Sequence, residues 1–266
     1  MTLLHIAILA SVQGLTEFLP ISSSGHLALV PLLTGWADQG LTLDIAVHAG
    51  SLGAVVSYFW RDSWSAVKGL FGLLGGRSSA DARLAANLIL ATIPIIMAGA
   101  AVIYFDLTGY WRNAEIIGWS MLGFGVLLFI ADRIGMTVRR VEHMRAGAAI
   151  VIGIAQIAAL IPGTSRSGIT MMAARFLGYE RGESARFSML LSIPTILAAA
   201  SVSIYGIVSS QDVTLGTDAL IAAGCTLIAA LLAIALLMAW LRQQSFTPFV
   251  IYRVILGGVL LYWVYF

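Results

Sequence analysis

The stretch Gln13-Gly14-Leu15-Thr16-Glu17-Phe18-Leu19-Pro20-Ile21-Ser22-Ser23-Ser24-Gly25-His26 interrupts an apolar N-terminal run. It has a counterpart that starts at Gln156 and breaks at Pro162-Gly163-Thr164-Ser165-Arg166-Ser167-Gly168-Ile169-Thr170. Proline and glycine end helices, and serine or threonine caps the next one. The segments 2–35 and 146–178 therefore read as pairs of apolar helical pieces. In each, the piece after the break is shorter than the ~20 apolar residues needed to cross ~30 Å of hydrocarbon.

Outside these two breaks the chain is strongly apolar. Of its 266 residues 59% are hydrophobic and 11% are charged, where a soluble domain carries roughly 25% charged residues. The mean hydropathy is +0.93, and the charges gather in short stretches between long apolar runs. This predicts an all-α, multi-pass membrane protein, because backbone in lipid must satisfy its own hydrogen bonds. The 27 glycines suit close helix packing. A net charge of +2 gives no reason to expect a nucleic-acid partner. The single cysteine, Cys225, excludes an intrachain disulfide and a cysteine metal cluster. The first residues lack a basic region, so a cleaved signal peptide is not expected.

Six spans are predicted, at about 43–60, 84–105, 115–131, 187–208, 218–240 and 249–266. Lys and Arg concentrate in 61–83, 132–145, 175–186 and at Arg242, whereas 209–217 has none and 106–114 only Arg112. The positive-inside bias places the first four on the cytoplasmic face and the last two outside. The segment 146–174 must then enter and leave by one face, as a re-entrant hairpin. The segment 2–35 becomes a hairpin entering from the other face. Each half, about 1–131 and 146–266, is one hairpin plus three spans of opposite orientation, an inverted-topology repeat with two broken elements meeting near mid-membrane.

Polar groups at that depth cost roughly 2.5–3.5 kcal/mol each for a central Arg or Asp, so they need a reason. Gln13 and Glu17 are four residues apart and share a helix face. A carboxylate with an amide carbonyl can hold a hard cation such as Mg²⁺ or Ca²⁺, and Glu17 can equally pair with Arg166. Ser22, Ser23 and Ser24 precede one helix; Thr164, Ser165 and Ser167 surround the start of the other, with Thr170 one turn in. Two helix N-termini facing each other, with Arg166 between them, form an anion site suited to a diphosphate. His26 lies beside the serines as a candidate acid/base or nucleophile. His48 reads as lying near the outer rim of the site.

The run from Gln13 to His26 closely resembles the first signature of the bacitracin-resistance type undecaprenyl-diphosphate phosphatases. Pro162 to Thr170 resembles their second, and Phe246-Thr247-Pro248-Phe249-Val250-Ile251-Tyr252-Arg253 their C-terminal pattern. The resemblance covers the whole chain. It implies hydrolysis of undecaprenyl diphosphate to undecaprenyl phosphate, which recycles the lipid carrier of cell-wall synthesis and confers bacitracin resistance. It also implies a divalent cation and a site facing outside the bacterial plasma membrane. By motif position, Gln13, Glu17, Ser23, His26, Ser165, Arg166 and Thr170 match the family's functional positions. Position 13 is often Glu in the family; Gln supplies no full charge, which puts more weight on Glu17.

From these residues Arg166 and the helix ends are expected to hold phosphate oxygens, with Ser22, Ser24, Thr164, Ser165, Ser167 and Thr170 lining the substrate. Glu17, with Gln13, orients the cation. Ser23, His26 or water attacks the terminal phosphorus, and the sequence leaves the three routes open. It also leaves open a homodimer, and a rival reading as a polyprenyl-phosphate transporter or flippase, since inverted repeats with broken helices also build transporters. The combination of acid, His, Ser and Arg favours the enzyme.

Overall fold

The computed structural model describes residues 2–36, 40–105, 111, 113–135, 137–210 and 216–266. Most of 106–114 and 209–217, read above as outside loops, and Arg112 with them, lie outside the described residues. The fold is helical throughout; among the described residues extended backbone pairs only at an isolated bridge between Arg139 and Tyr179.

The chain breaks where the sequence predicts. Helix α1 (Leu3–Phe18) stops before Leu19-Pro20, and α2 (Ser23–Thr34) restarts at the serines. The second pair is α7 (Ala146–Gln156), extended by a 3₁₀ turn over Ile157–Leu160, and α8 (Arg166–Phe176). At 12 and 11 residues, α2 and α8 are about 18 and 17 Å long. The two restarts share one local solution. Ser22 and Ser165 sit at φ 75° and 72°, and each side chain accepts from the backbone N–H three residues on, Gly25 and Gly168. Non-glycine residues pay roughly 1–3 kcal/mol for that conformation. Here the cap bond and the tight reversal of the chain hold them in it.

Between the hairpins lie α3 (Leu41–Tyr58), α4 (Trp60–Leu74), α5 (Ala80–Tyr104) and α6 (Ala114–Ile134); after them come α9 (Arg181–Ser210), α10 (Thr217–Trp240) and α11 (Thr247–Tyr265). Among the described residues five helices, α5, α6, α9, α10 and α11, are long and apolar enough to cross a membrane. The sixth expected span, 43–60, is α3, which qualifies only together with α4, and the two are bent by 93°. Asp44, His48, Ser51 and several glycines lower its hydropathy, for reasons the site makes clear. Helix α4 fills much of the charged stretch 61–83, for which the sequence reading gave no helix. Trp60, Trp64, Val67, Leu70, Phe71 and Leu74 recur at helical spacing and are exposed, so Arg61, Asp62 and Lys68 belong to an amphipathic helix.

Packing pairs follow a pattern. Helix α1 lies against α10 and α7 against α5; α3 packs on α10 and α9 on α5; α6 packs on α11. Outward-facing Met97, Leu236 and Ile255 remain exposed, which is expected of surface meant for lipid.

Three of the four stretches read as sharing a face, 61–83, 132–145 and 175–186, are in direct contact. Arg186 pairs with Asp62 at 2.6 Å and with Glu142 at 2.8 Å. Asp132 pairs with Arg181 at 2.6 Å and Arg175 at 3.4 Å, and accepts from the Phe246 N–H. Asp132 and Arg175 are almost fully buried, so this junction is held by charges that must stay paired.

Candidate active site

The tips of the two hairpins meet. Ser167 donates to the carbonyl of Leu19 at 2.9 Å, and a methyl group built on Gly25 would lie 3.4 Å from the Gly163 backbone. The tie between them is Arg253 of α11. Its guanidinium, 1% exposed as a residue, donates to the carbonyls of Pro20 and Gly163, one from each break, and to those of Ser120 and Met121 in α6. Helix breaks leave carbonyls without intrahelical partners; one buried cation satisfies both breaks. Arg253→Met should therefore destabilise the protein by roughly 3 kcal/mol or more, read as a lower thermal midpoint in detergent. An unchanged midpoint would contradict this role.

Within this frame Glu17, on the last turn of α1, gathers the polar side chains. One carboxylate oxygen accepts from Arg166 Nη2 at 2.9 Å. The other accepts from Ser23 Oγ at 2.6 Å and Gln13 Nε2 at 3.0 Å. Arg166 also donates to the Ser188 carbonyl at 3.3 Å. The acid comes from the end of α1, the serine from the start of α2 and the arginine from the start of α8, so the cluster exists only when the tips meet.

A cavity of about 170 Å³ opens on this cluster, lined by Glu17, Ser23, Ser24, Ser165, Arg166 and His48, with Thr195 and Ile196 on its apolar side. Pockets that enclose whole drug-sized ligands have ~300–1,000 Å³. This one suits a polar headgroup, with any long apolar tail left outside. Two helix N-termini, a guanidinium and three serine hydroxyls line it beside the Glu17 carboxylate, and donors of this kind can hold an anion.

Not every expected site residue lines it. Ser22 is buried as the α2 cap, and Ser167 is held by Leu19 and Ser165. Thr170 is buried, donating within α8 and bonding Ser188 at 2.7 Å, so it fixes the first turn of α8 against α9. Thr164 is fully buried, and its hydroxyl has no partner among the described residues. His26 lies away from the cavity lining: Nδ1 donates to the Ser22 carbonyl and Nε2 accepts from the Tyr252 hydroxyl, both at 2.6 Å. His48, expected near the outer rim of the site, is in the cavity wall. Its signal in the sequence was a polar residue in the middle of an apolar span.

For a cation, the available atoms are hard oxygens. Gln13 is fully buried, its amide oxygen without a partner among the described residues, and Glu17 supplies the carboxylate. Among the described residues no group of three or more His, Cys, Asp or Glu is placed to hold a metal. A carboxylate and an amide oxygen are donors of the kind that Mg²⁺ or Ca²⁺ takes, so Glu17 and Gln13 would be the residues to hold such an ion.

The chain as a whole is similar to known proteins. Over all 266 residues the chain is 50% identical to the whole of a protein of Roseobacter denitrificans named undecaprenyl-diphosphatase. It is 50% identical over 267 aligned positions, 98% of this chain and 95% of the relative, to undecaprenyl-diphosphatase 1 of Rhodospirillum rubrum. A Ruegeria pomeroyi undecaprenyl-diphosphatase matches at 50% over 98% of both chains. Residues 6–259, which include both hairpins and Arg253, match the family described as bacitracin resistance protein BacA, and the chain belongs to that family.

Proposed function

We propose that this chain is a membrane phosphatase that hydrolyses undecaprenyl diphosphate to undecaprenyl phosphate and inorganic phosphate, recycling the cell-wall lipid carrier and conferring bacitracin resistance. The observation that carries this reading is the Glu17–Ser23–Arg166 cluster at the meeting of the tips, opening on a headgroup-sized cavity.

Arg166 and the N-termini of α2 and α8 bind the terminal phosphate, and the prenyl tail lies on apolar helix faces. The entering phosphate competes with Glu17 for the guanidinium, which leaves Glu17 a stronger base. Ser23 Oγ attacks the terminal phosphorus and passes its proton to the Glu17 oxygen it already contacts. The bond from phosphorus to the bridging oxygen breaks, and undecaprenyl phosphate leaves. Water then attacks the phosphoserine; Ser23 recovers its proton from Glu17, and the water's protons leave on the phosphate. Arg166 stabilises the charge spread over the transferring group in both steps. Glu17 and Gln13 would hold a divalent cation, which supplies further neutralisation of phosphate charge.

Phosphate release from a C₅₅ diphosphate by detergent-purified protein tests this reading. Excess EDTA should stop turnover, Mg²⁺ or Ca²⁺ should restore it, and Gln13→Glu should be tolerated. Full turnover in EDTA would remove the cation from the account, and no release under any condition would remove the function.

The architecture that presents this site is an inverted-topology repeat of 1–131 and 146–266 within one transmembrane domain, its cavity facing outside the bacterial inner membrane. Supporting it are the matched strained caps Ser22 and Ser165, the buried Gln13 and Gln156 at equal spacing ahead of them, and the packing of α1 on α10 against α7 on α5. The contacts of Arg186 with Asp62 and Glu142, and of Asp132 with Arg181, support a common face for 61–83, 132–145 and 175–186. On a Cys225→Ser background, single cysteines in 209–217 should label from outside, and those in 132–145 only after permeabilisation. The reverse pattern would overturn the orientation.

A further inference from the structure

The site has two imidazoles near it, and the chemistry separates them. A backbone carbonyl only accepts, so a ring nitrogen at hydrogen-bond distance from one must carry the proton. In His26 that rule fixes the proton on Nδ1, facing the Ser22 carbonyl, and Tyr252 then occupies Nε2. Both nitrogens are spent. In His48 of α3, Nδ1 lies 2.7 Å from the Asp44 carbonyl and donates to it. The neutral ring therefore has a bare Nε2, and no donor among the described residues reaches it. This ring lines the cavity with Ser23, Ser24 and Arg166.

A bare Nε2 has a lone pair and no proton, so it is no ligand for phosphate oxygens. It needs a donor. Ser23 already donates to Glu17, Ser24 pairs with Ser22 and the guanidinium of Arg166 is turned to Glu17. The remaining donor that fits is a water molecule in the cavity. On the two-step reading above, we propose that His48 is a positioning residue for the second step: its Nε2 accepts a hydrogen bond from the water that attacks phosphorylated Ser23. The tie to Asp44 locks the ring so that this acceptor is fixed before water arrives. It also gives a reason for a polar residue in the middle of α3.

The test is a side-chain series read on the second step. His48→Ala should lower kcat by about 10²-fold and KM with it, leaving kcat/KM nearly unchanged because phosphorylation of Ser23 is untouched, and labelled phospho-enzyme should accumulate in a burst. His48→Gln, whose amide oxygen reaches the place of Nε2, should recover most of the rate. His48→Asn, whose oxygen falls at the place of Nδ1, should not. Packing alone would not separate Gln from Asn in this way. In the folded wild-type protein, carbethoxylation of His48 should inactivate, and inorganic phosphate should slow the modification. Wild-type turnover in His48→Ala, a slow variant without accumulated phospho-enzyme, equal rates in Gln and Asn, or activity after His48 is modified would each overturn the proposal. Absence of turnover in the unmodified wild type would instead count against the phosphatase reading itself.

Discussion

Replacing Arg166 with Ala is expected to lower kcat by roughly 10³-fold, as loss of a main transition-state donor does. Arg166 is the cation that lines the cavity at the tips, 2.9 Å from Glu17, with a side chain only 13% exposed. Two effects add. The phosphate loses its bidentate partner, and Glu17, 7% exposed, loses its charge partner. Arg166→Lys should keep part of the activity, because an ammonium restores charge without the planar fork. The protein should still insert and purify, since Arg253 and Ser167 hold the tips together independently. Near-normal rates in both variants would remove Arg166 from phosphate binding.

Ser23→Ala should cost at least roughly 10³-fold in kcat, on the scale seen when a covalent nucleophile is removed, and should abolish any acid-stable, base-labile phospho-enzyme. His26→Ala should be much milder. The contrast follows from geometry: Ser23 Oγ lies in the cavity 2.6 Å from a carboxylate that can take its proton. His26 is committed to Ser22 and Tyr252, in a ring stacked on Tyr252 with centroids 5.6 Å apart. An acid-labile phosphohistidine, lost in His26→Ala and retained in Ser23→Ala, would reverse the assignment.

The sequence made the breaks legible because their chemistry is local. Pro20, Pro162 and the serine runs stop and restart helices wherever they stand, and the caps at Ser22 and Ser165 follow from that. Glu17 and Arg166 were legible as a pair because an acid and a base in lipid have few alternatives. What sequence could not rank was the two histidines. Their difference lies in which carbonyl and which hydroxyl each ring meets, and Tyr252 is far from His26 along the chain. Arg253 shows the same limit: only the fold brings the carbonyls of Pro20 and Gly163 to one guanidinium. Thr170 was assigned to substrate from its place one turn into α8. Its partner there is Ser188, from a helix that the motif does not contain. Helix α4 was missed for a simpler cause. Charges at Arg61, Asp62 and Lys68 masked apolar residues that fall on one face at helical spacing.

The most direct test of the central claim, that Ser23 at one tip takes phosphate bound by the other, is the stereochemical course at the terminal phosphorus. A substrate made chiral there with sulfur and oxygen isotopes would be turned over by wild-type protein. Two in-line displacements, by Ser23 and then by water, predict net retention of configuration in the released thiophosphate. Net inversion would mean a single direct attack by water, and would contradict the covalent route through Ser23.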